Sequence, residues 1–131
     1  MNIDTAQPLV AVLGGGAAGF FGAIASAEAN PNLQVILLEK TSKLLAKVRV
    51  SGGGRCNVTH ACESAAQLVA HYPRGSKQLK AAFQEFGVAE TIAWFAKRGV
   101  ALKTEADGRM FPITDLSETI AHTLENAARQ A

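Results

Sequence analysis

Leu9-Val10-Ala11-Val12-Leu13-Gly14-Gly15-Gly16-Ala17-Ala18-Gly19 decides the fold of this chain. An apolar run enters a glycine cluster, and Phe20 to Ala29 follow with small residues at helical spacing. A second apolar run, Val35-Ile36-Leu37-Leu38, ends in Glu39 and Lys40. Strand, glycine turn, helix, strand and acid fit within one βαβ unit, residues 8–40. Gly14 lets the chain leave the strand in a tight turn. Gly16 lacks a Cβ, so a pyrophosphate can approach the backbone. Gly19 lets the helix lie close to the strands. The N–H groups at the helix start, Ala17 and Ala18 among them, point toward the phosphates at the positive end of the helix dipole. Ala23 and Ala27 extend the small face by one turn. Glu39 stands where a carboxylate binds ribose hydroxyls and would repel a 2′-phosphate. The expected ligand is therefore a dinucleotide with an unphosphorylated adenosine half.

Other readings of this stretch fail on particular residues. No Gly-Lys-Ser/Thr follows the glycines, which excludes a P-loop. Thr5 to Ala27 carries no charge, yet Pro8 and the glycines interrupt it and no basic flank orients it as a membrane span. A buried parallel strand with a helix on it is the expectation instead. Over 131 residues, 48% hydrophobic and 18% charged, the composition is globular. A net charge of +2 with no basic block gives no reason to expect nucleic acid. Two cysteines and no secretion signal point to a reducing cytoplasm.

Further along, Asn30-Pro31 ends the first helix. Thr41 to Val50 reads as an exposed turn, in which Lys43, Lys47 or Arg49 could face phosphates. Ser51-Gly52-Gly53-Gly54-Arg55-Cys56-Asn57-Val58-Thr59 is a second glycine loop. Its backbone can form a concave N–H nest, Arg55 adds a forked cation, and Asn57 and Thr59 can bond ring heteroatoms or hydroxyls. Alone this could be a flexible loop; close to the first glycine turn it points to a shared ligand. Cys56, His60 and Cys62 fit no ordinary zinc spacing and lack a fourth ligand, so no metal is expected and Cys56 reads as a packed thiol. His71 and His122 have no visible partners.

Within residues 64–131, Ser76 to Phe86 and Val88 to Arg98 read as two helices broken at Gly87, with Leu79, Ala82, Phe83 and Phe86 as the stripe of the first. Gly99 caps the second. Asp107-Gly108 marks a hairpin between Ala101–Thr104 and Arg109–Phe111. Asp115 to Gln130 is a final helix, with Asp115 and Glu118 as a capping box and Ile120, Leu124 and Ala127 as its stripe.

These motifs together resemble the HI0933-like flavoproteins, a family of NAD(P)/FAD-dependent oxidoreductases with aminoacetone-oxidase-like and bile-acid-reductase-like members. The resemblance rests on the N-terminal fingerprint, Leu38-Glu39-Lys40, Lys47 and, most distinctively, the Ser51 to Thr59 loop. Tyr72-Pro73-Arg74-Gly75, Trp94-Phe95 and Asp107 to Pro112 also match, so it covers essentially the whole chain. It implies an α/β fold, a Rossmann-like FAD-binding βαβ with a parallel sheet plus appended helices and a small hairpin. It implies FAD as cofactor, with NAD(P)H as an electron donor. Gly14, Gly16, Ala17, Ala18 and Gly19 would serve the pyrophosphate, and Glu39 and Lys40 the adenosine side. Lys47, Ser51, Gly52, Gly54, Arg55, Asn57 and Thr59 would lie along the flavin. Leu45-Ala46 departs from the glycine and arginine of many members. The family runs to several hundred residues with a second domain, so the expectation is an N-terminal, truncated portion. Its final helix would be exposed, with association through the open edge and turnover near that of free flavin. Alternatives are a non-catalytic nucleotide-binding fragment and an NAD-binding Rossmann domain. The expected partner is a small-molecule substrate of unspecified identity, and no residue stands out as a catalytic acid or base.

Overall fold

The computed structural model describes residues 7–131. Strand β1 (Leu9–Leu13) and strand β2 (Gln34–Leu38) pair in parallel, with Val10 opposite Val35 and Leu13 opposite Leu38. Helix α1 (Ala17–Ala29) connects them and ends at Asn30, ahead of Pro31, as the sequence predicts. It buries Phe20, Ala23 and Ile24. The helix packs on the strand as expected, but β1 is not buried. Leu9 and Leu13 are 45% and 79% exposed, because α1 covers one side and no described element covers the other.

The segment read as a turn after Lys40 is helical from Ala46: helix α2 (Ala46–Gly54) kinks at Ser51 and buries Val48. Two further short elements follow. Strand β3 (Thr59–His60) and helix α3 (Ala65–Ala70) had no clear signal in sequence, although Ser64 caps α3 by accepting the Gln67 N–H at 3.2 Å. Helices α4 (Ser76–Glu85) and α5 (Val88–Ala96) are the predicted pair. α4 buries no residue fully: Leu79 and Phe83 are half-covered, while Ala82 and Phe86 remain exposed. Gly87 N–H donates to Glu90 Oε2 at 2.9 Å and starts α5. A Schellman motif ends it, with Val100 N–H on the Phe95 carbonyl and Gly99 N–H on that of Ala96, both at 3.0 Å.

Strands β4 (Leu102–Thr104) and β5 (Arg109–Pro112) form the expected hairpin, and β3 adds to it in the order β3-β5-β4. Helix α6 (Ser117–Gln130) buries Ile120, Ala121, Leu124 and Ala127 against α1 and α2. The final helix is therefore a core element, not an exposed one. Its start also corrects the expected capping box. Asp115 pairs with Lys103 and Glu118 with Arg49, so Leu116 stands at the N-cap with no side-chain bond. One apolar cluster joins Phe20 and Ile24 of α1, Leu45, Val48, Cys56, Phe95, Val100 and the α6 stripe. This cluster fixes the carboxyl ends of β1 and β2 relative to the second glycine loop. No helix among the described residues is long and apolar enough to cross a membrane.

Candidate functional site

The glycine turn sits at the carboxyl edge of the parallel pair, where open α/β sheets place their ligands. Gly14 N–H donates to the Leu38 carbonyl at 2.7 Å and locks the turn to β2. A Cβ at Gly19 would overlap the Gly14 carbonyl oxygen, so only glycine lets α1 come this close. At Gly16 a Cβ would meet nothing within 4 Å. That space is open above the backbone, on the side where Gly14, Gly16, Ala17 and Ala18 are exposed. The first intrahelical bond is Phe20 N–H to Gly16 carbonyl at 3.0 Å, so the N–H groups of Ala17, Ala18 and Gly19 have no acceptor within the helix. α1 has no capping side chain and no acid in its first turn. Its N-terminus is a ready receiver of an anion.

Glu39 closes the opposite side. Its Oε2 accepts from Gly15 N–H at 2.8 Å, and its Oε1 accepts from Thr41 N–H at 2.9 Å and Thr41 Oγ1 at 3.0 Å. The Gly15 bond first, then those from Thr41, hold its carboxyl below the usual range and keep it ionised. An open cleft of about 590 Å³ is lined by Leu13, Gly14, Leu38, Glu39 and Lys40. The exposed Leu13 and half-exposed Leu38 give it apolar walls beside the acid.

The second glycine loop reaches the first through α2. Leu45 N–H donates to the Gly15 carbonyl at 2.8 Å, and Leu45 is fully buried in a left-handed conformation (φ 55°, ψ 28°). That conformation favours glycine, and here a leucine with its side chain enclosed in the core adopts it. At the far end of α2, Gly52, Gly53 and Gly54 all have positive φ (56°, 68° and 84°). Three such residues in a row each cost about 1–2 kcal/mol when they carry a Cβ. Gly52 also lies against the Phe111 ring, 2.7 Å from where its Cβ would stand.

The polar side chains of this loop turn onto the hairpin. Arg55 pairs with Glu105, lies 3.6 Å from Asp115 and stacks 4.0 Å above the Phe111 ring. With its amide oriented to donate, Asn57 bonds the Thr59 and Met110 carbonyls at 2.9 and 3.3 Å. Thr59 lies in β3 opposite Met110, and Ser51 Oγ donates to the Val48 carbonyl at 2.9 Å. Cys56 N–H donates to the Ser51 carbonyl at 3.0 Å, which removes one donor from the expected nest. Burial pushes the Cys56 thiol up, as for a packed thiol. Lys47 is exposed on α2. Thus Gly14, Glu39 and Lys40 line one cleft, and Gly16, Ala17, Ala18 and Gly19 follow Gly14 at the uncapped start of α1. Ser51, Arg55, Asn57 and Thr59 instead brace the loop that carries Gly52 and Gly54. The sequence reading missed Leu45, Glu105, Asp115 and Phe111 as the groups that hold this second loop. A hydrophobic residue before a helix and acids across a hairpin carry no local signal.

The model of the HI0933-like protein Rossmann domain matches residues 8–131. The chain is also 30% identical over 121 residues to the 3-dehydro-bile acid delta(4,6)-reductase of Clostridium scindens, covering 92% of this chain and 29% of that protein. It therefore spans less than a third of the length of that relative. The chain belongs to the HI0933-like family and carries its Rossmann domain.

Proposed function

We propose that this Rossmann domain is the FAD-binding portion of a flavin-dependent oxidoreductase that takes electrons from NAD(P)H. The observation that supports it most is the uncapped, glycine-fronted start of α1, with ionised Glu39 bonded to Gly15 and lining a cleft together with Gly14. The residues fit the group. The cradle above Gly16 has no side chain in it, and the N–H groups of Ala17, Ala18 and Gly19 suit a pyrophosphate. Glu39 Oε2, which accepts only the Gly15 N–H, keeps acceptor capacity for a ribose hydroxyl, while Oε1 is taken by the two Thr41 donors. Lys40 adds a cation at the cleft.

The flavin, when bound, supplies the electron transfer. The chain's own groups bind and orient. α1 and the glycine turn neutralise phosphate charge, and Glu39 fixes the adenosine and disfavours a 2′-phosphate. Lys47 and the backbone of Gly52 and Gly54 lie on the route to the flavin side, with Arg55, Asn57 and Thr59 holding that backbone in place through the hairpin. An NAD-binding domain is the second reading, favoured by the commitment of Arg55 and Asn57 to intrachain partners. A nucleotide-binding fragment without turnover is the third.

Gel filtration of the chain after incubation with FAD tests the proposal. Visible flavin absorbance should elute with the protein, and Gly16→Val should abolish it while leaving the elution volume unchanged. A parent chain that elutes colourless overturns the flavin reading.

A further inference from the structure

His60, Cys62 and His71 come together at the end of β3, away from the nucleotide cleft. Along the chain, Cys56 is the natural companion of His60 and Cys62, but the fold buries Cys56 in the main core. His71, brought back by α3, takes its place. One nitrogen or sulfur from each of the three residues lies within 4.8 Å of the others. Cys62 Sγ is 3.4 Å from His60 Nδ1. The His60 and His71 rings stack with centroids 3.9 Å apart and planes inclined by 28°.

The partner of the other His60 nitrogen sets its tautomer. Nε2 lies 3.0 Å from the Asp107 carbonyl oxygen. A carbonyl only accepts, so Nε2 carries the hydrogen and Nδ1 presents its lone pair to the sulfur. A ring N–H on a backbone carbonyl with the second nitrogen free is the arrangement of a metal-bound histidine and its outer partner. The spacing agrees. Nitrogen at ~2.0–2.1 Å and sulfur at ~2.3 Å from a tetrahedral zinc stand roughly 3.5 Å from each other. The ring lies close against Gly108, where a Cβ would overlap it.

We propose that His60, Cys62 and His71 form a three-ligand zinc site with its fourth position open to water. One thiolate and two imidazoles suit zinc and not magnesium or calcium, which take oxygen ligands. The ion would join three segments: the Asp107–Gly108 turn, already held to Ala61 by a backbone bond of 2.7 Å, through His60, the lead into α3 through Cys62, and the end of α3 through His71. α3 has only six residues and buries Leu68 alone, so zinc would order it and the chain leaving the second glycine loop.

The test uses the full chain stripped with a chelator and titrated with cobalt(II) as a spectroscopic stand-in for zinc. The expected result is saturation at one equivalent with a thiolate-to-cobalt charge-transfer band, bleached on adding zinc. Cys62→Ala should remove the band. His71→Ala, at an exposed position, should weaken binding by more than roughly tenfold, the least that loss of even an outer partner costs. Far-UV circular dichroism should show both variants folded, and zinc should raise the melting temperature of the parent alone. Cobalt bound without a thiolate band, a band that survives Cys62→Ala, or no saturable binding overturns the site.

Discussion

Gly19→Ala and Gly22→Ala make the same chemical change one turn apart on α1, with opposite expected results. In a helix interior, alanine is favoured over glycine by about 0.8–1 kcal/mol. At Gly22 a Cβ meets nothing within 4 Å, so that gain is kept, and stability should rise by about 0.5–1 kcal/mol. At Gly19 the new Cβ falls on the Gly14 carbonyl oxygen, with the carbonyl carbon at 3.1 Å and Leu37 Cδ1 at 3.5 Å behind it. The carbonyl cannot swing aside, because the N–H of its own peptide, that of Gly15, donates to Glu39 Oε2 at 2.8 Å and the preceding Gly14 N–H donates to the Leu38 carbonyl at 2.7 Å. α1 must lift from the strands, at an overpacking cost of about 2–3 kcal/mol, the upper part of the usual range because backbone is involved. Subtracting the propensity gain leaves a net loss of about 1–2 kcal/mol. For a chain of this length that is a fall in Tm of about 4–8 °C, against a rise of about 2–4 °C for Gly22→Ala. Urea and thermal unfolding of the three proteins measure this directly. A Gly19→Ala variant as stable as Gly22→Ala would refute close helix–turn contact as the reason for glycine.

Other expectations concern the acid, the final helix and pH. Glu39→Gln keeps an acceptor for Gly15 N–H but loses the charge, so a folded variant should bind FAD at least roughly tenfold more weakly by flavin fluorescence titration. Equal affinity would remove the ribose role. Leu124→Ala empties a core position only 4% exposed and should cost about 2–5 kcal/mol in urea unfolding, whereas an undocked α6 would lose almost nothing. The carboxyls of Glu118 and Asp115 are held below their ordinary values of 4.5 and 3.8, chiefly by hydrogen bonds from Arg49 and Lys103. A depressed folded value means stability that is full above the unfolded value and lost as pH falls through the folded one. Tm should thus be level above about pH 5 and decline below it, with a smaller decline in Glu118→Gln; stabilisation on acidification would contradict the pairing.

The parallel pair and its glycine turn were legible because their signals are local. Leu9 to Glu39 carries strand, turn, helix and acid in one continuous run, and each contact within it joins near neighbours in the fold. The hairpin at Asp107-Gly108 and the Gly99 terminus were legible for the same reason. The second glycine loop was legible as backbone only. Whether Arg55 points to a ligand or to Glu105 and Asp115 depends on residues far along the chain, and so does the partnership of Glu118 with Arg49 that displaces the capping box. α2 was hidden by its exposed Lys47 and its glycine end, and β3 by having two residues. His71 reaches His60 only through the return of α3.

The central claim is that the Gly14–Gly19 turn and Glu39 form an FAD site. Isothermal titration calorimetry of the parent chain and Gly16→Val against FAD and NAD tests it most directly. The account predicts saturable one-to-one binding of FAD by the parent, clearly tighter than NAD, and none by Gly16→Val, whose Cβ enters the open cradle with nothing within 4 Å. Binding of NAD without FAD, or FAD binding that Gly16→Val leaves intact, would contradict it.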